Sequence, residues 1–81
     1  MIFIYESPQE LSFYMKNTLI PLDIIFLDSN LKVINIHKDT IPMNDQKLYR
    51  SEGPAQIVIE LNAGSSQMFG IEEGKYFNLN E

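Results

Sequence analysis

Lys16, Asn17 and Thr18 stand between two apolar runs, followed by Pro21 and then by Asp23 inside the second run. An ammonium, an amide and a hydroxyl in a row can orient an anionic or polyhydroxy ligand, since together they offer donors and acceptors at one corner of a fold. The same three residues can also make a plain turn, because Asn and Thr side chains bond their own backbone. A carboxylate in an apolar strand is costly unless partnered. Asp23 therefore either pairs with Lys16 or accepts backbone N–H groups. Glu60 is the one charged residue in the run 55–61. It either faces solvent or points into a cavity as an acid or base with a raised pKa. Tyr49 and Arg50, near the end of a long polar connection, can clamp a sugar or carboxylate, or else cover the core while the arginine pairs with an acid.

Other chemistries lack their parts. His37 is the only histidine and there is no cysteine, so neither a zinc site nor a thiolate nucleophile can be assembled. No nucleophile elbow, phosphate-binding glycine loop or EF-hand spacing occurs, and no metal or cofactor is expected. The net charge of −5 opposes binding to phosphate backbones, so nucleic acid is not an expected partner. No run is long enough to span a membrane, and no basic n-region or cleavage site for a signal peptide is visible.

Positioning these residues falls to short strands. With 81 residues the chain buries about 60% of its unfolded surface, enough for one core and one domain, 1–81. Segment 2–5 reads as a strand ended by Pro8. Leu11, Phe13 and Met15 alternate with Ser12, Tyr14 and Lys16, a half-buried strand over 11–16. Segment 22–28 is apolar on both faces and belongs at the centre of a sheet. Asp28-Ser29-Asn30 turns it into 31–38, an alternating strand whose Val33, Asn35 and His37 share one face, at an edge or surface. Residues 39–54 form the longest loop. In 55–61, Ala55, Ile57, Ile59 and Leu61 lie opposite Gln56, Val58 and Glu60. Gly64-Ser65-Ser66 opens one helical turn through Phe69, and a last strand covers 75–79. The linkers are too short for helical crossovers. The expected class is mainly β (β-rich α+β), a small antiparallel β-barrel-like domain of five or six strands with one short helix.

The block Phe13–Asp28 (FYMKNTLIPLDIIFLD), then Tyr49, then Gly53–Gly64 (GPAQIVIELNAG) and the G-I-x-x-G of Gly70–Gly74 resembles the domain-of-unknown-function family 192. The resemblance covers nearly the whole chain. It implies a compact antiparallel β-barrel-like domain, no established activity, and export of many relatives. Relatives of this kind carry a further strand and a Gly-Leu-Met-rich segment before the point matching Met1. By that resemblance this chain is a truncated form of a longer domain.

Three functional readings follow. The first is a non-catalytic binding or accessory module for a small polar or anionic ligand, with Lys16, Asn17, Thr18, Asp23, Tyr49 and Glu60 as its site. The second is a hydrolase or lyase using a Lys/carboxylate pair, which requires at least two of these groups in one cleft. The third is an assembly subunit, a homo-oligomer formed through an exposed edge strand.

Overall fold

The doubly apolar run becomes β3 (Leu22–Leu27), a strand with a neighbour on either side. In the computed structural model, which describes residues 1–77, β3 pairs antiparallel with β4 (Val33–His37) and β6 (Ala55–Asn62). β1 (Ile2–Gln9) pairs antiparallel with the far side of β6, giving the order β1-β6-β3-β4. A second sheet consists of β2 (Ser12–Phe13) and β5 (Tyr49–Arg50), and α1 (Ser65–Met68) is a single helical turn. The fold is thus mostly antiparallel β, with six strands and one short helix among the described residues. Among the described residues the sheets do not close into a barrel, and β1 and β4 are the edges of the larger one.

Because successive β3 side chains point to opposite faces, the strand feeds two cores. Ile24 and Phe26 join Leu11, Met15, Tyr49, Ala55 and Val58 under the β2/β5 sheet. Ile25 and Leu27 join Val33 and Ile59 on the other face, covered by Leu31, Ile71 and Phe77. Each fully buried side chain of this size contributes about 1.5–3 kcal/mol by its removal from water, so β3 anchors both layers.

Four local expectations need correction. β1 runs on through Ser7 and Pro8 to Gln9, because it is an edge strand and its register with β6 shifts between Ile4 and Gln9, which accommodates a residue without an N–H. Only Ser12 and Phe13 of the expected 11–16 strand pair, although the burial of Leu11 and Met15 keeps the predicted face. Ala55 packs with Val58 rather than with Ile57 and Ile59, at the strand's first residue and beside that register shift. His37 lies on an edge strand, as expected, but it is half-buried because the β2/β5 sheet covers its end of the face, and the register shift between Phe26 and Leu27 puts Val33 on the opposite face from it. Its ring stands edge-on to Phe26 and Tyr49, at centroid distances of 6.0 and 5.3 Å. The last expected strand reaches residues 78–79, outside the described residues; within 75–77 it amounts to a single bridge between Tyr76 and Lys32.

The two edges of the larger sheet are finished differently. Along β4, Val33 N–H donates to the Lys75 carbonyl at 2.8 Å and Gly74 N–H to the Val33 carbonyl at 2.8 Å, while Ile36 N–H reaches Glu73 Oε1 at 3.3 Å. The segment after α1 therefore closes that edge. Nothing among the described residues pairs with the outer side of β1.

Candidate functional site

Thr18 N–H donates to the Met15 carbonyl at 3.2 Å, so Lys16 and Asn17 are the exposed central residues of a turn. The long loop is stitched to that corner. Met43 N–H donates to the Thr18 carbonyl at 2.9 Å, Thr40 N–H to the Leu22 carbonyl at 2.9 Å, and Leu22 N–H to Thr40 Oγ1 at 3.0 Å. Beneath, the Tyr49 hydroxyl accepts Ile41 N–H at 3.0 Å, and the Lys47 ammonium lies 5.2 Å from the Tyr49 ring centroid. Lys16, Asn17, Thr18 and Tyr49 thus share one end of the molecule. Tyr49 is buried there as part of the core, with its hydroxyl engaged, while Arg50 points outward to solvent.

Asp23 is fully buried, and its partners are backbone groups and a serine, not Lys16. Oδ1 accepts Asp39 N–H at 3.0 Å; Oδ2 accepts Gly64 N–H at 3.2 Å, Ser66 N–H at 3.0 Å and the Ser66 hydroxyl at 2.7 Å. Burial pushes this carboxyl up. Hydrogen bonds from the Ser66 and Asp39 amides, the Ser66 hydroxyl and the Gly64 amide outweigh that push and hold the pKa below the ordinary 3.8. One carboxylate therefore ties the start of the long loop to the turn that enters α1. Gly64 takes φ 92° in that turn, a left-handed backbone that suits glycine.

Glu60 lies across the sheet from Asp23. It pairs with Ile24 whereas Asp23 pairs with Leu61, and cross-strand partners share a face, so the two carboxylates point to opposite faces. Partial burial raises the Glu60 pKa above 4.5, and the positive N-terminus lowers it in part. A raised acid opposes folding once it ionises. Glu60→Gln is therefore expected to raise the urea midpoint at pH 7 and to leave it unchanged at pH 3, where both forms are neutral.

The six expected site residues thus occupy three places: the corner with Tyr49, the buried Asp23 staple, and the half-buried Glu60 beside Met1. A depression of about 350 Å³ is lined by Asp23, Lys38, Asp39, Gly64 and Ser66, and another of about 470 Å³ by Glu10, Ser12, Arg50 and Ser51. A larger, more apolar groove of about 580 Å³ lies against Val33, Leu61, Phe69, Ile71, Tyr76 and Phe77. None of these three takes in Lys16, Asn17, Thr18, Tyr49 or Glu60. Among the described residues no group of three or more His, Asp or Glu side chains is placed to hold a metal ion.

Two features escape a reading of the sequence. Asn35 is buried and clamps the end of the long loop, its Nδ2 donating to the Arg50 carbonyl at 3.0 Å and its Oδ1 accepting Glu52 N–H at 3.0 Å. His37 Nε2 lies 2.8 Å from the same carbonyl, which can only accept, so this nitrogen carries the proton. The signal for Asn35 is the same as for Asp23: a polar residue between two large aliphatic neighbours within a strand. The second is which strand carries the expected exposed edge: it is β1, on its outer side.

Comparison with known proteins places these observations in a family. No curated protein matches the chain. A crystal structure of a protein of unknown function from Novosphingobium aromaticivorans is 38% identical with a TM-score of 0.86, over 94% of this chain and 54% of that one. A second, from Sinorhizobium meliloti, is 32% identical with a TM-score of 0.87, over 94% of this chain and 58% of that one; a role in transcription regulation has been suggested for it. This chain spans just over half the length of either. The family model of DUF192, described as an uncharacterized ACR, matches residues 1–79. Since that match takes in the Lys-Asn-Thr corner, the central β3 strand and the Gly64 turn, all within residues 1–79, the chain belongs to DUF192.

Proposed function

We propose that the chain is a non-catalytic binding module that takes up an extended polypeptide segment along the open edge of β1. One observation carries this reading: Ile2 and Ile4 are 54% and 75% exposed on a strand whose outer side has no partner. Met1 and Glu60 exchange both backbone hydrogen bonds at 2.8 Å, so the ladder alternation turns the N–H and C=O groups of Ile2 and Ile4 outward. Their side chains continue the apolar rows of Ile59 with Ile25 and of Ile57 with Leu27. Unpaired backbone groups beside an unfinished apolar layer are what an added strand requires.

The acid–base alternative is weaker on this geometry. Asp23 has both oxygens engaged and Glu60 faces the other side of the sheet. A small polar ligand would meet Lys16 and Asn17 at the corner, with Tyr49 already committed to the loop.

Amide shifts on titration with a series of short peptides of alternating apolar residues test the reading. Shifts are expected at Ile2–Glu6 and at the facing residues of β6, and Ile4→Lys is expected to abolish them. Shifts centred on Lys16–Thr18, or none with any peptide at millimolar concentration, would overturn it.

A further inference from the structure

We infer that the occupant of this edge is a second copy of the same chain, paired antiparallel, β1 to β1, about a two-fold axis. The inference rests on the edge reading above and adds the identity of the partner and its register. Its first support is charge. The chain carries −5, yet residues 1–5 (Met-Ile-Phe-Ile-Tyr) contain no charged side chain, and with the axis at Phe3 each Met1 ammonium stands opposite Tyr5 of the second copy, so no like charges face each other in the ladder. Glu6 and Glu10 lie beyond that strip.

Register follows from which groups point outward. A two-fold axis at Phe3 sets Ile2 opposite Ile4 of the second copy, so that these residues exchange both hydrogen bonds and Glu6 stays outside the ladder. An axis at Ile4 would instead set Glu6 against Ile2 and bring a carboxylate into the apolar strip. In the favoured register four isoleucines meet on the face that already holds Ile57 and Ile59, and the two Phe3 side chains meet on the other face. The half-buried Phe3 thereby gains a neighbour.

The same structure predicts that growth stops at two. The usable edge ends after Tyr5, where the register with β6 shifts and Pro8 supplies no donor, and the opposite edge is closed by residues 73–77. An isologous pair therefore uses up the open edges and leaves a continuous eight-stranded sheet.

Light scattering and sedimentation from low micromolar to millimolar concentration test the inference on the intact chain. The weight-average mass is expected to rise from 9.4 kDa toward twice that value and no further. Ile4→Lys is expected to move the midpoint concentration up at least about tenfold, the equivalent of roughly 1.4 kcal/mol. Leu19→Lys, at a side chain 80% exposed on the Lys-Asn-Thr corner, is expected to leave it unchanged. Both sites are exposed, so urea midpoints should confirm that the variants fold. A monomer at every concentration that still binds the peptide series at Ile2–Glu6 overturns self-pairing and leaves the edge reading standing; failure of both experiments removes both. A dimer that survives Ile4→Lys, or one weakened equally by Leu19→Lys, places the contact elsewhere and overturns the inference.

Discussion

Asp23→Ala is expected to cost about 3 kcal/mol or more, because three backbone N–H groups and one hydroxyl lose their acceptor together and each orphaned buried donor costs about 1–3 kcal/mol. The neighbouring depression lets water reach some of them, so the sum stays below the full count. Against a typical total of 5–15 kcal/mol, this is a large share. Urea denaturation with an unchanged slope would read it directly. Asp23→Asn keeps one acceptor oxygen and should lose less. The acid limb supplies a second readout. A carboxyl whose folded pKa lies below 3.8 contributes all its stability above the unfolded pKa and loses it as pH falls through the folded value. The gap between the wild-type protein and Asp23→Ala should therefore be full at neutral pH and shrink as pH drops below 3.8. A gap of under about 1 kcal/mol at pH 7, or one independent of pH, would contradict the staple.

Phe26→Ala is the second large effect, expected at about 3–5 kcal/mol. Phe26 has no exposed surface and joins the two sheets: its ring lies 5.9 Å from that of Phe13 on β2 and 6.0 Å from that of His37 on β4. Phe3 and Tyr49 extend the contact at either end, 5.6 Å from Phe13 and 5.3 Å from His37. Removing the central ring opens a cavity and breaks aromatic contacts worth about 0.5–1.5 kcal/mol each beyond burial. For a domain of this size the melting temperature should fall by about 12 °C or more. Should the alanine variant fail to fold, Phe26→Leu keeps most of the volume and should show a loss of about 1 kcal/mol.

The centre of the fold is legible because β3 is apolar on both faces, a pattern that only a strand covered on both sides can use. The Met15–Thr18 turn and the helical turn after Gly64 are legible from the turn preferences of their residues. So is the nearness of the corner to the loop leading into Tyr49. What escapes the sequence is register. Asp23 and Glu60 look like companions until Asp23 is set against Leu61 and Glu60 against Ile24. The donors that hold Asp23 come from residues 16, 41 and 43 positions away, and nothing in the local pattern selects them. His37 reads as a surface residue because alternation does not reveal the small second sheet above it. Pro8 reads as the end of β1 because the free side of an edge strand, which tolerates proline, becomes visible only with the strand order.

The account turns on a sheet with one closed edge and one open edge, and amide hydrogen exchange at Ile4 and Val33 measures both at once. At high dilution Val33 should be protected through its bond to the Lys75 carbonyl while Ile4 exchanges freely; on raising the protein concentration, protection should appear at Ile4 and stay constant at Val33. Protection of Ile4 equal to that of Val33 at the lowest concentration, or free exchange of Ile4 at every concentration, would contradict it.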